Sequence, residues 1–272
     1  MTLQRRQERL AVREIRGLGA DQFQLILERG PDAGIPAFRA GQFAQLAVPG
    51  HTLPRPFSIL RAGTDQLEFL VKVVGPGTAW LADRRPGEQV SVLWPLGHGF
   101  LDRLPADADP AEEGLLVGGG VGIAPLIALW EQEAGRRPLR AAFGFRDRPG
   151  VAAARALQPE LAMEISTEDG SVGRAGRVTD LLADWLAEAP ERPRRIYCCG
   201  PEPMMEAVAR HARAAGVPCL LSLETLMGCG IGICVGCAVP VSTGGFQLAC
   251  QAGPVFALDE LADSEPAREA CR

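Results

Sequence analysis

Apolar and polar residues alternate in short runs along the first hundred positions. Leu10–Ile15, Phe23–Leu27, Phe43–Val48, Leu67–Val74 and Gln89–Leu93 each have the length of one strand. Turn-forming clusters separate them, among them Val48-Pro49-Gly50, Ala62-Gly63-Thr64-Asp65 and Arg85-Pro86-Gly87-Glu88. Thr78–Arg84 reads as one short helix. Many short strands without a long 3.6-residue pattern predict an antiparallel barrel or sandwich over residues 1–105. An acidic, Pro- and Ala-rich connection follows at 104–113, and then the texture changes. Strands at Gly114–Val117, Leu139–Phe143, Leu161–Ser166, Arg195–Cys199 and Cys219–Leu223 alternate with helices at Pro125–Ala134, Thr179–Ala187 and Pro203–Ala215. That alternation predicts a Rossmann-like parallel α/β domain over 112–220. The remaining segment, 221–272, is loop-rich and forms a small third unit.

Four cysteines in that last segment define the chemistry. Cys229, Cys234 and Cys237 follow the spacing C-x4-C-x2-C, and Cys250 follows after twelve intervening residues. This is the plant-type ligand spacing of a [2Fe–2S] cluster. Three thiolates within nine residues need a tightly curled loop, and Gly230, Gly232 and Gly236 permit one. The competing reading is structural zinc. Zinc sites usually pair one C-x2-C with another or with two histidines, and this segment has one C-x2-C and no nearby His. Disulfides are disfavoured because nothing else suggests secretion: the N-terminus MTLQRRQERL is charged and lacks an apolar core. No apolar run is long enough to span a membrane, and a net charge of −5 argues against nucleic acid as a partner. A cytoplasmic setting is expected. Cys198, Cys219 and Cys271 read as buried or free thiols.

Other motifs lie on the barrel and the α/β domain. Arg55-Pro56-Phe57-Ser58 heads a strand and offers a forked cation, a ring and a hydroxyl. Gly75-Pro76-Gly77-Thr78 turns from a strand into a helix, so Arg55 and this turn are placed to hold two ends of a pyrophosphate. An ordinary strand-to-helix turn reads the same way. His98 sits in the glycine-rich exit Pro95-Leu96-Gly97-His98-Gly99, either exposed to solvent or catalytic. Val117-Gly118-Gly119-Gly120-Val121-Gly122-Ile123-Ala124-Pro125 is a strand–glycine turn–helix suited to a dinucleotide, though it departs from G-x-G-x-x-G. Arg146 and Arg148 follow the next strand, in a solvated loop or on a nucleotide phosphate. Cys199 ends a strand before Gly200-Pro201-Glu202-Pro203-Met204, where a nicotinamide can be touched.

Taken in order, these motifs resemble the ferredoxin reductase superfamily. Within it, the run from Glu224 through Met227, Cys229, Cys234 and Cys237 to Cys250-Gln251-Ala252-Gly253-Pro254-Val255-Phe256 is similar to the dihydroorotate dehydrogenase B electron-transfer subunit family. The resemblance implies a flavin-binding antiparallel β-barrel, a nucleotide-binding α/β domain and an iron–sulfur subdomain. It implies FAD held by Arg55, Pro56, Phe57 and Ser58, lined by the backbone of Leu70, Val71 and Lys72, with its phosphates at Gly77 and Thr78. It implies NAD at Gly119, Gly120 and Gly122, with Cys199 near the hydride path, and leaves NADP open through the Arg146/Arg148 pair. Cys229, Cys234, Cys237 and Cys250 become the iron ligands. The implied partner is an FMN-containing subunit that oxidises dihydroorotate, in a heterotetramer, with electrons passing through [2Fe–2S] and FAD to NAD⁺ for pyrimidine biosynthesis. No catalytic His or carboxylate is expected on this chain. Two alternatives stand beside this reading: the small flavin/iron–sulfur subunit of an NAD(P)H–ferredoxin oxidoreductase or sulfhydrogenase, and a non-enzymatic zinc module on a nucleotide fold.

Overall fold

A computed structural model describes residues 5–19, 21–30, 38–188 and 193–262. Cys271 lies outside the described residues. Six antiparallel strands close a barrel in the order β1-β2-β5-β4-β3-β6. They are β1 (Arg6–Gly19), β2 (Gln22–Glu28), β3 (Phe43–Leu46), β4 (Arg55–Ala62), β5 (Gln66–Lys72) and β6 (Gln89–Leu96), with helix α1 (Pro76–Ala82) between the last two. Period-2 patterning fills the barrel. Phe23, Leu25 and Leu27 of β2 meet Val71, Phe69 and Leu67 of β5 directly across the ladder. Val90, Val92 and Trp94 of β6 complete the same core.

The second unit is a seven-stranded sheet in the order β10-β9-β8-β7-β11-β12-β15. Its strands are β7 (Glu113–Gly119), β8 (Leu139–Phe145), β9 (Met163–Thr167), β10 (Arg174–Ala175), β11 (Arg194–Cys199), β12 (Cys219–Ser222) and β15 (Val255–Ala257). All pair in parallel except β15, which joins β12 antiparallel. Helices α2 (Ile123–Glu133) and α3 (Arg148–Leu157) share one core with Leu116 and Phe143, while α4 (Val178–Ala187) and α5 (Glu202–Ala215) pack with Leu115 and Val117. Adjacent residues of β7 thus feed opposite layers, as a doubly covered sheet requires. Chain order reverses between β7 and β11, so their carboxyl ends form the switch point where such sheets hold ligands.

Helix α3 occupies a stretch for which sequence reading offered a loop or a phosphate contact. Asp147 caps it by accepting a hydrogen bond from the Gly150 N–H at 3.2 Å, and Pro149 fits the first turn, where no backbone donor is needed.

The barrel and sheet are joined by a polar network. Arg61 of β4 donates to Glu131 of α2 at 2.7 Å, to Glu68 of β5 at 3.1 Å and to the Leu157 carbonyl at 2.7 Å. Gln158 also donates to Glu131, at 2.7 Å.

The C-terminal segment is tied to both units. Beyond β12 it forms the hairpin β13 (Ala238–Pro240) and β14 (Phe246–Leu248) before β15. Cys237, Val239, Ala249, Cys250 and Phe256 pack in one core with Phe43 and Leu96 of the barrel. Arg103, just past the barrel, donates to the carbonyls of Val255 (2.9 Å) and Ala252 and lies over the Phe256 ring. The His98 N–H donates to the Gly253 carbonyl at 2.6 Å. His98 is thus a docking residue through its backbone, and its ring stays half exposed.

Phe256 is fully buried at this junction. Phe256→Ala is expected to lower the unfolding free energy by about 3–5 kcal/mol. Urea denaturation followed by circular dichroism checks this, and a loss below about 1 kcal/mol would mean that the junction is not a true core.

Candidate electron-transfer site

Three neighbouring features make up the site. The first is the mouth of the barrel. Arg55, Pro56, Phe57 and Ser58 open β4 and are all half-buried. The Arg55 guanidinium lies against the turn before α1: a Cβ at Gly77 would stand 3.1 Å from Arg55 Nε. The same guanidinium donates to the Leu53 carbonyl at 2.7 Å and contacts His51 Nδ1 at 3.2 Å. A forked cation therefore sits beside backbone N–H groups at a helix start, a cradle that fits a pyrophosphate. Thr78 serves this cradle indirectly. Its Oγ1 accepts from the N–H groups of Val74 (2.9 Å) and Gly75 (3.2 Å) and donates to the Gly75 carbonyl (3.0 Å). The hydroxyl is thereby engaged in closing the turn. Leu70 and Val71 are buried in β5, and Lys72 at its end reaches the next feature.

That feature is a cavity of about 540 Å³ at the switch point. Gly119, Gly120 and Lys72 line it, as do Arg146, Ser166 and Arg177. The three glycines do different things. A Cβ at Gly119 would lie 2.6 Å from Met204 Sδ, and one at Gly122 would lie 2.6 Å from the backbone of Cys199 and Gly200. Gly120 has φ +55° and open space in front of it. Two glycines thus let the β7 and β11 loops interlock, and the third opens the backbone to the cavity. Arg146 lines the cavity; Arg148 donates to the Ser171 carbonyl at 2.6 Å instead. Arg177, Ser166 and Glu168 were missed by sequence reading, although they lie at or just beyond strand ends, where ligands collect. Ser166 is fully buried and its Oγ has no partner. Cys199 does not line the cavity, whereas Pro201, two residues on, does. Cys199 is 3% exposed, and burial pushes its thiol up to about 12. A second cavity of about 460 Å³, between β4 and α2, contains none of the predicted site residues.

The cysteine loop is the third feature. Cys229 Sγ accepts from the N–H groups of Ile231 (3.4 Å), Ile233 (3.3 Å) and Cys234 (3.4 Å). Burial pushes this thiol up, but those donors and the Cys234 thiol pull it down to about 6. The buried Cys250 contacts Cys237; burial, then that neighbour, pushes it up to about 12. The closest thiol contacts are Cys229 with Cys234 and Cys237 with Cys250, and Cys229 also lies near enough to act on Cys250. Among the described residues no three His, Cys, Asp or Glu side chains gather around a single ion position. Two pairs suit two irons, each taking two protein ligands. Left-handed Gly230 (φ +71°) and Gly232 (φ +86°) make the curl, and a Cβ at Gly228 would lie 3.1 Å from Cys234 Sγ. Leu53, Leu226, Ile233 and Val235 are exposed, and Leu53 lies against Gly228.

Comparison with known proteins matches this arrangement. The family model described as the iron–sulfur cluster binding domain of dihydroorotate dehydrogenase B matches residues 224–262, and the oxidoreductase NAD-binding domain matches 116–210. The dihydroorotate dehydrogenase B (NAD(+)) electron transfer subunit of Geobacillus thermodenitrificans is 38% identical over 230 residues, covering 81% of this chain and 86% of that one. The chain belongs to the dihydroorotate dehydrogenase B electron transfer subunit family. The Clostridium acetobutylicum member is 36% identical over 214 residues, 77% of this chain and 80% of that one. Among solved structures, a chain of the NADH-dependent reduced ferredoxin–NADP oxidoreductase superposes with a TM-score of 0.79 at 28% identity, covering 95% of this chain and 91% of that one. Phthalate dioxygenase reductase shares the fold, with a TM-score of 0.63 at 19% identity over 87% of each chain.

Gly122→Ala forces a methyl group into the Cys199–Gly200 backbone. The expected result is at least a tenfold rise in the KM for NADH, about 1.4 kcal/mol, with flavin content unchanged. Steady-state NADH oxidation with an artificial dye, alongside the flavin spectrum, measures both. An unaltered KM would show that the interlocked loops do not shape the nucleotide site.

Proposed function

We propose that this chain is the electron-transfer subunit of a dihydroorotate dehydrogenase B. It takes electrons from an FMN-containing, dihydroorotate-oxidising partner and delivers them to NAD⁺ in pyrimidine biosynthesis. The observation that carries this reading is the continuous match to such subunits over four-fifths of the chain, with the cysteine loop inside a matched domain. The proposed units are a flavin barrel at 1–105, a nucleotide domain at 112–220 and an iron–sulfur segment at 221–272.

Residue roles follow from placement. Arg55, Phe57, Ser58 and the N–H groups of Gly77 and Thr78 bind FAD, with Pro56 and the backbone of Leu70, Val71 and Lys72 alongside. When bound, FAD supplies the exchange between two-electron hydride chemistry and single electrons. Gly119, Gly120 and Gly122 admit the nicotinamide nucleotide, and the neutral Cys199 thiol packs under it without acting as a base. Arg146 and Arg177 flank the cavity as anchors for nucleotide phosphates, and NADP stands as the alternative nucleotide. Cys229, Cys234, Cys237 and Cys250 hold the iron. The apolar rim of Leu53, Leu226, Ile233 and Val235 excludes water where the partner docks. The proposed assembly is a heterotetramer, in the cytoplasm, where thiols stay reduced. Among the described residues no helix is long and apolar enough to cross a membrane.

A second reading, a small subunit serving ferredoxin, is favoured by the 0.79 superposition on the reduced ferredoxin–NADP oxidoreductase chain. Affinity purification from the native cell separates the two. Co-purification of a second chain with dihydroorotate-dependent NADH formation supports the first reading; a ferredoxin-reducing complex without orotate formation overturns it. A Cys234→Ala variant is expected to keep flavin reduction by NADH near the wild-type rate while transfer from the partner falls at least a hundredfold. Stopped-flow absorbance measures each half, and persistent transfer would remove the cysteine loop from the relay.

A further inference from the structure

The barrel directs one polar side chain at the iron–sulfur loop. On β3, Ala44 and Leu46 point into the barrel core, while Phe43 packs with Cys237 and Cys250. Gln45 alternates with Ala44 and Leu46, so it shares the outward face with Phe43. It is 2% exposed, and neither its amide nitrogen nor its amide oxygen has a hydrogen-bond partner. A Cβ at Gly230 would lie 2.8 Å from Gln45 Cγ and 3.0 Å from Nε2. Gly230 directly follows Cys229, the thiol that already collects three N–H donors. Burying an unpartnered amide is costly, and a leucine would fill the space among Leu96 and Gly230 without that cost. A polar group kept at this position needs a ligand to satisfy it.

We propose that Gln45 is the barrel's own hydrogen-bond donor to the iron–sulfur centre, its Nε2–H group donating to a sulfur of the bound cluster. This rests on the reading that the cysteine loop holds [2Fe–2S]. Reduction adds negative charge to the sulfurs, and a fixed N–H dipole stabilises the reduced form more than the oxidised one, so Gln45 raises the reduction potential. The barrel thereby tunes the second redox centre as well as carrying the flavin site.

The test is an EPR-monitored redox titration of the holoenzyme carrying Gln45→Met, which keeps side-chain length and removes the donor. The expected result is full iron and sulfide content, an unmoved FAD potential and a cluster potential lowered by about 59 mV, a tenfold change in its one-electron equilibrium. A wild-type cluster potential in Gln45→Met overturns the proposal. Independently, enzyme labelled with ¹⁵N at glutamine side-chain amides, in a Gln251→Met background that removes the glutamine bonded to the Ile231 carbonyl, is expected to show ¹⁵N coupling to the reduced centre that Gln45→Met abolishes. No such coupling overturns the proposal even where Gln45→Met fails to fold. Wild-type protein without iron and sulfide would sink the cluster reading itself, a result distinct from an intact cluster indifferent to Gln45.

Discussion

The arrangement depends on one shared core. Phe43 and Leu96 of the barrel pack with Cys237, Val239, Ala249, Cys250 and Phe256 of the C-terminal segment. A segment this short cannot bury enough apolar surface to fold alone. It solves the problem by placing two of its own cysteines in the barrel's outer core and by adding β15 to the edge of the sheet. Arg103 and the His98–Gly253 hydrogen bond fix the same stretch from the barrel side. The cysteine loop is therefore held against the barrel and the sheet at once. A site that must pass electrons between fixed centres needs this kind of rigid support.

The cavity at the switch point depends on both units. Its floor comes from the sheet and one wall from the barrel, through Asp21, Gln22 and Lys72. That wall stays in place because Arg61, Glu68, Glu131 and Gln158 bridge the two units. Each partner in this network is charge-assisted, so losing one would strand another in a partly buried setting. The polar seam orients the units, and the apolar clusters supply the bulk of the stabilisation.

Much of this was legible in the sequence, for local reasons. Period-2 runs gave β2, β5 and β6 because their alternating residues fill one barrel core. The cysteine spacing and the glycine turns were legible because each encodes its own local geometry. What escaped depends on contacts far apart in the chain. β15 is three residues long, and only its pairing with β12 makes it a strand. Helix α3 opens with Arg148-Pro149-Gly150, which reads as a turn until the Asp147 cap is seen. That the Thr78 hydroxyl closes its own turn, accepting from the Val74 and Gly75 N–H groups, was not legible either. Gln45 carried no signal at all, since a glutamine in a strand is unremarkable until both its neighbours and its lack of partners are known.

The two ends of the relay differ in their surroundings, and the difference follows from what each must meet. The cavity at the switch point lies between the barrel and the sheet, where Lys72, Arg146 and Arg177 stand among Asp21, Asp147 and Glu168. The cysteine loop has a split environment. Cys237 and Cys250 are buried against the barrel, while Cys234 and the apolar Ile233 and Val235 face outward. Exposed apolar side chains cost little singly, but several around a redox loop form a surface that another protein can dry. Had the loop been fully buried, an external donor would have no close approach. Had it been polar and exposed, water would reorganise around each change of charge. One face anchored in the core and one apolar face open to a partner meets both demands, and it explains why the glycines crowd the inner curl while the large aliphatic residues sit on the rim.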